Sequence, residues 1–298
     1  MSTVHSEFPR HLAGEPLLAL APGSPVLELA RAWFPEAAWE QVPMSTGQVR
    51  LRPRQGVVGR FRSAAPEEPT AEPGRLRLVG ETRLDGPHPV AAAAAHAGGL
   101  PPQAFDVYLV RGGLPPEPVV MAWLAAAARR TGGAVVLPEG GVLVPDPSSA
   151  LTMTLWSPQA IDGDAALAVL RPALSGSRLT SAEAVGPEAW AFTAVYEYDG
   201  LVRVSLARST ELPLVLATAD PSAFGVYGYR VAWSPPGVDA GELDVSLPLH
   251  AIARNRVAPS MTRAVLALEG RVGGTVVDEG GFVIDAGDLT ERARADRR

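Results

Sequence analysis

Arginines alternate with apolar residues in the first third of the chain, and this pattern indicates a surface that binds anionic groups. The alternation between residues 50 and 77 places them on one side of predicted strands. A guanidinium is a planar fork of N–H donors that suits carboxylate and phosphate groups. The members of this predicted basic face are Arg50, Arg52, Arg54, Arg60, Arg62, Arg75 and Arg77. The alternative is a solvated sheet face, which is common, balanced by Glu67, Glu68, Glu72 and Glu81.

A second polar group precedes a predicted helix near the C-terminus. We predict that His250, Arg254, Asn255 and Arg256 lie in the loop between a strand and this helix, which is predicted to begin at Pro259. The N-terminus of a helix favours negative charge, so this group could bind a small anion. The alternative is an ordinary polar loop.

Missing residue types exclude several classes of chemistry. The sequence has no Cys and no Lys, so all 26 of its basic residues are Arg. The absence of thiols excludes disulfides, thiolate nucleophiles and thiolate-bound metals. The absence of Lys excludes Schiff-base enzymes and P-loop hydrolases. The five His residues have no metal-ligand spacing, so we predict no metal and no cofactor.

Charge and hydropathy narrow the class of protein. The net charge of −6 and the pI of 5.5 make nucleic acid an unfavourable partner. No apolar run approaches the roughly 20 residues that a membrane span needs. The first residues also lack the basic and apolar regions of a secretory signal. We therefore predict a cytoplasmic protein that does not engage a membrane.

One arrangement of secondary-structure elements occurs twice in the sequence, and its second copy contains His250, Arg254, Asn255 and Arg256. Residues 106–146 and 244–285 both contain a short apolar strand, a loop, a helix, a Gly pair and two short strands around Glu-Gly-Gly. A Gly after a helix can adopt the left-handed conformation that ends it. Glu-Gly-Gly provides the positive φ of a tight hairpin. The spacing therefore predicts an internal duplication.

The repeated helix, Gly-Gly and hairpin resemble the C-terminal part of the ZipA-like cell-division domain. That domain is a split β-α-β fold whose last helix also runs into a Gly-Gly and a short hairpin. The resemblance covers only this short unit in each copy and includes no catalytic residue. It implies a ferredoxin-like topology and binding of a protein through an exposed sheet face. ZipA-like proteins are membrane-anchored, and we predict no such anchor here because no apolar run is long enough to span a membrane.

Together these patterns predict an α+β fold of two tandem duplicated ferredoxin-like, or split β-α-β, modules with antiparallel sheets. The modules are predicted over residues 15–148 and 149–286. In the second module Asp199-Gly200, a preferred two-residue hairpin turn, predicts a hairpin between the apolar strands on either side of it. Residues 1–14 and 287–298 are predicted to be disordered tails.

The predicted function is a non-enzymatic protein-binding or scaffold module. Its expected partner is another protein with an acidic segment, held by the predicted basic face. An exposed sheet edge would also permit a homodimer. The alternative is an enzyme or sensor for a small anionic ligand bound between the two repeats.

Overall fold

The protein consists of two compact units, each built around one sheet. The computed structural model describes residues 15–44, 72–113, 116–186, 188–236 and 248–294, without the side chains of 181–186 and 218. Unit 1 is Met1–Pro145 and unit 2 is Asp146–Arg298. Each contains a seven-stranded antiparallel sheet, and the described chain has six α-helices. The predicted α+β class is confirmed.

Unit 1 places β1 near the middle of its sheet, in the order β2-β3-β4-β5-β1-β6-β7. Its strands are β1 (Leu17–Leu20), β2 (Ala38–Gln41), β3 (Gly74–Val79), β4 (Thr82–Val90), β5 (Phe105–Arg111), β6 (Ala134–Val136) and β7 (Val142–Leu143). Its helices are α1 (Val26–Arg31), α2 (Ala92–Ala97) and α3 (Pro118–Thr131).

Both faces of β1 are covered, so all four of its residues are buried. Trp123 of α3 is fully buried, and its Nε1 donates a hydrogen bond of 2.9 Å to the Leu29 carbonyl of α1. A second cluster joins Ala95 of α2 to Leu17 and Val107. These contacts explain why β1 is apolar throughout, whereas β3 alternates.

Unit 2 has the strand order β14-β13-β8-β12-β11-β10-β9. Its strands are β8 (Met153–Ser157), β9 (Arg178–Gly186), β10 (Ala189–Tyr196), β11 (Gly200–Arg208), β12 (Tyr227–Ser234), β13 (Thr275–Asp278) and β14 (Val283–Ile284). Its helices are α4 (Gly163–Ala173), α5 (Pro248–Val272) and α6 (Ala286–Arg294). The hairpin predicted at Asp199-Gly200 is confirmed by the pairing of β10 with β11.

The core of unit 2 lies between the sheet and helices α4 and α5. Leu155 and Tyr229 from the sheet pack with Leu170 of α4 and Leu268 of α5. The Tyr229 hydroxyl donates to the Gln159 carbonyl at 2.8 Å, and burial raises the pKa of this tyrosine. The helices therefore cover one face of the sheet.

The two sheets have the same strand order, since each strand of unit 1 occupies the place of the strand seven numbers later in unit 2. In both, a helix connects two strands that flank a third, giving β5-α3-β6 around β1 and β12-α5-β13 around β8. The predicted hairpins after these helices are confirmed, because β6 pairs with β7 and β13 with β14. The assignment to ferredoxin-like modules stays a prediction.

The Gly pairs perform the same task in both units. Gly132 and Gly273 end their helices with φ values of 66° and 63°, in the left-handed region. A Cβ on Gly133 would lie 2.1 Å from the Ala19 carbonyl oxygen, and one on Gly274 would lie 2.4 Å from that of Trp156. The second Gly therefore allows the chain to pass close to β1 or β8.

Two predicted boundaries are wrong. Helix α5 begins at Pro248 and passes through Pro259, so it has 25 residues against 14 in α3. Pro259 was expected to start the helix because a first-turn Pro needs no N–H partner. The predicted C-terminal tail is helical as far as Arg294, since Leu289 is fully buried and holds α6 to the core.

Candidate functional site

The structure describes only part of the predicted basic face. Arg50, Arg52, Arg54, Arg60 and Arg62 lie outside the described residues. Arg75 and Arg77 lie on β3, where they are exposed and alternate with buried leucines. Across the sheet Arg77 faces Arg83, and Arg83 faces Arg111. The described members therefore belong to a group of arginines on β3, β4 and β5.

Carboxylates neutralise most of these unit 1 arginines. The ion pairs are Arg75–Asp85 at 3.2 Å, Arg111–Asp85 at 3.4 Å, Arg83–Glu40 at 3.0 Å, Arg83–Glu81 at 3.5 Å, and Arg111–Glu15. The hydrogen bonds and charge of Glu40 raise the pKa of Arg83. This surface matches the alternative of a solvated, charge-balanced sheet face. Glu81, one of the glutamates named for that alternative, forms one of these ion pairs.

The second predicted group does not lie in a loop. His250, Arg254, Asn255 and Arg256 are all inside α5, because the helix begins before them. His250 and Arg254 are buried, whereas Asn255 and Arg256 are exposed. Residues two apart on a helix do not face each other. The structure therefore separates the two guanidiniums that the predicted anion site required.

Arg254 instead forms an ion pair inside unit 2. Its Nη2 contacts Asp146 and donates to the Ser148 hydroxyl at 2.8 Å, while its buried Nε makes no hydrogen bond to a described atom. Partial burial acts to raise the pKa of Asp146. The hydrogen bonds from Ser148 and the charge of Arg254 outweigh this and lower it. This ion pair fixes the first turns of α5 to the start of the unit.

Arg256 makes a different contact. Its side chain is 65% exposed and lies 3.5 Å from Asp199, in the turn between β10 and β11. The two arginines thus attach the same helix to two separate segments. Arg254 is enclosed within unit 2, and Arg256 points to a different segment, so the two guanidiniums do not meet at one anion site.

A third set of arginines lies on the sheet face of unit 2 that is opposite α4 and α5. Because Tyr229 and Val204 face the helices, the residues that alternate with them face away. Arg178 of β9, Arg203 of β11 and Arg230 of β12 are exposed there. We call these three residues the unit 2 basic face. None pairs with a carboxylate of the described chain.

Hydroxyl groups surround the unit 2 basic face. Arg230 faces Ser205 on one side and Thr154 on the other, and Arg203 faces Thr193. No hydrogen bond of these three hydroxyls to any described atom is present. The neighbourhood is therefore rich in donors and has no described anion.

Strand register allows a residue-by-residue comparison of the two sheets. Ala19 pairs with Val107 in unit 1, and Trp156 pairs with Gly228 in unit 2. Ala19 and Trp156 correspond, because each also pairs with the residue directly after the Gly pair. Counting along the strands gives the corresponding pairs Arg83 with Arg203, Asp85 with Ser205, and Leu109 with Arg230.

This correspondence explains the difference in charge. Asp85 binds two arginines in unit 1, and unit 2 has the uncharged Ser205 in its place. Unit 2 also has Arg230 where unit 1 has an apolar residue. At the centre of the face, unit 2 therefore lacks one acidic residue of unit 1 and has one additional basic residue.

No family model, curated protein or solved structure matches this chain. The functional assignment therefore depends on the geometry of its side chains. Among the residues that the structure describes, no cluster of His, Asp and Glu could hold a metal ion. No helix within them is long and apolar enough to cross a membrane.

The sequence prediction missed the unit 2 basic face, although one signal was present. The hairpin after Asp199 was recognised, and its second strand places Arg203 among alternating apolar residues. Arg230 lies on a different strand, and only the register brings it beside Ser205. Register between distant strands cannot be read from alternation, because a shift by one residue reverses the face.

Proposed function

We propose that the protein is a non-enzymatic binding module that holds an acidic segment of another protein on the unit 2 basic face. The observation that carries the proposal is the contrast between two corresponding guanidiniums. Arg83 of unit 1 is paired with glutamates, whereas Arg203 has no carboxylate among the described residues. An exposed guanidinium with no internal partner can pair with a carboxylate from outside.

An acidic protein segment suits the whole chain better than nucleic acid does. The net charge of −6 would repel a polyanion over distance. A short segment with a few carboxylates needs only the local field of the arginines. Such contacts are screened beyond about 8–10 Å at physiological salt, so the binding should weaken as salt rises. The cytoplasmic location predicted from the sequence agrees with such a role.

Two related modules provide the framework of this proposal. The shared strand order and the corresponding Gly pairs support an internal duplication into split β-α-β modules. One copy would then keep a neutral face while the other binds. No observation favours the small-anion alternative at His250, because Arg254 and Arg256 are each engaged by an aspartate.

The test is a titration with a short synthetic peptide of alternating Glu and Thr, and with its Gln counterpart. We expect the Glu peptide alone to bind, and Arg203→Glu with Arg230→Glu to weaken binding at least about tenfold, or 1.4 kcal/mol. Arg171→Glu with Arg294→Glu makes the same charge change at exposed helical positions and should retain most of the affinity. Equal loss in both double variants would contradict the proposal, since it would indicate net charge rather than this face.

A further inference from the structure

We infer that the unit 2 basic face recognises a phosphorylated Ser or Thr side chain of the partner, seated between Arg203 and Arg230 above Ser205. This inference rests on the proposed function and specifies the group that is bound. It concerns two arginines on neighbouring strands and the hydroxyl between them.

The register places the two arginines as diagonal neighbours. Arg203 faces Ala232 and Ser205 faces Arg230, so the arginines are two residues out of direct opposition. Diagonal neighbours on one face are about 7–8 Å apart, which long side chains can bridge. Two like charges held this close with no described anion between them repel each other, and a bound dianion would relieve that repulsion.

The hydroxyls add donors that have no partner inside the described chain. Ser205 lies directly opposite Arg230, is half-buried and is on the same face of the sheet as both arginines. Thr154 on β8 lies beside Arg230, and Thr193 on β10 lies beside Arg203. The site therefore presents two guanidinium forks and three hydroxyls on one patch of sheet.

This number of donors favours a phosphate over a carboxylate. One guanidinium fork can satisfy both oxygens of a carboxylate through two parallel hydrogen bonds. A phosphorylated side chain carries close to two negative charges and three acceptor oxygens at neutral pH. Two neighbouring forks and a hydroxyl on the same face match three oxygens and two charges. A lone carboxylate would leave one fork without an acceptor.

The experiment compares three forms of one peptide in which a central Thr is phosphorylated, replaced by Glu, or unmodified. We expect the phosphorylated form to bind at least about tenfold more tightly than the Glu form, at equal salt. Its affinity should fall between pH 7.5 and pH 5.5 because the second phosphate ionisation has a pKa near 6. The Glu form should not change in that range. Ser205→Ala should reduce the advantage of phosphate, and Arg171→Gln should not.

Three other outcomes would each overturn a specific part of these proposals. Equal binding of the phosphorylated and Glu forms, with both lost in Arg203→Gln, would overturn the phosphate inference and leave the proposed function standing. Binding unaffected by Arg203→Gln and Arg230→Gln would overturn both. Competition by inorganic phosphate at concentrations similar to the phosphopeptide would overturn the assignment to a protein partner, since the free anion alone would then be recognised.

Discussion

The two units share a strand order and a register, but they differ in whether the exposed arginines of the sheet pair with carboxylates. In unit 1 Asp85 stands between Arg75 and Arg111 and contacts both. In unit 2 the same position is Ser205, and the neighbouring arginines have no described carboxylate. The two faces therefore differ at two positions of one register: Asp85 against Ser205, and the buried core residue Leu109 against the exposed Arg230.

The units also differ in the helix that precedes the Gly pair. The α5 extension, residues 248–258, has no counterpart in α3, and Arg254 joins it to Asp146. The units share the close approach of the second Gly of each pair to β1 or β8. Mutations at shared features should have similar effects in the two units. Mutations at the outer arginines or at the α5 extension should affect the two units differently.

The largest effect should come from the shared Gly pairs. Gly133→Ala and Gly274→Ala should each destabilise the protein by about 3 kcal/mol, because the new methyl group would overlap a carbonyl oxygen on β1 or β8. Gly113→Ala and Gly270→Ala have open space around the added carbon and serve as controls. Urea unfolding measures all four. A mild effect at only one of the two tight positions would break the correspondence between the units.

The next effect concerns the α5 extension. Asp146→Asn should cost about 2 kcal/mol, because Arg254 remains buried without a carboxylate, and the partial exposure of Asp146 moderates the loss. Arg254→Met removes the buried charge as well and should cost less.

The same ion pair predicts a pH dependence. The pKa of Asp146 is lowered in the folded state, so its contribution is present above the unfolded value of about 3.9. It is lost as the pH falls through the lower folded value. Unfolding free energies measured from pH 6 down to pH 2.5 should therefore decline less steeply for Asp146→Asn. Parallel curves for the two proteins would exclude a linked carboxylate here.

A smaller effect tests the charge exchange itself. Ser205→Asp should weaken binding of the acidic peptide about fivefold, since it places the unit 1 carboxylate into unit 2. Asp85→Ser should give a weak gain of binding by releasing Arg75, while Arg111 keeps its ion pair with Glu15. Ser205→Asn is the uncharged control. If Asp and Asn act alike at this position, shape rather than charge distinguishes the faces.

The smallest effect is expected at Arg256. Its pair with Asp199 is exposed, so Arg256→Ala should change the free energy of unfolding by no more than about 0.5 kcal/mol. Arg254→Ala in the same helix serves as the comparison and should cost several times more. Equal costs in thermal or urea unfolding would contradict the assigned burial.

Local sequence signals predicted much of this fold. Apolar spacing, Gly pairs and the Asp199-Gly200 turn located α3, the late hairpins and the β10–β11 pair, because each depends on neighbouring residues. The start of α5 was missed because Pro259 resembles a helix beginning, while burial of Val257 and Arg254 extends the helix before it. Tertiary packing outweighed the local signal.

The sites were harder to predict than the elements. Alternation correctly placed Arg75 and Arg77 on one side of β3. Whether such a face is neutral depends on Asp85 and Glu40, which come from other strands, and therefore on register. The predicted convergence of Arg254 and Arg256 is wrong because both residues lie in a helix, where side chains two residues apart point in different directions.

Pro259 has a consequence for how α5 opens. A proline inside a helix has no N–H, so the Asn255 carbonyl loses its intrahelical partner, and the Thr262 hydroxyl bonds the nearby Ala258 carbonyl at 3.0 Å. The hydrogen-bond ladder is thus interrupted between the α5 extension and the rest of the helix. The extension can unfold as a separate cooperative segment, and its amides should exchange with solvent before those that follow Pro259.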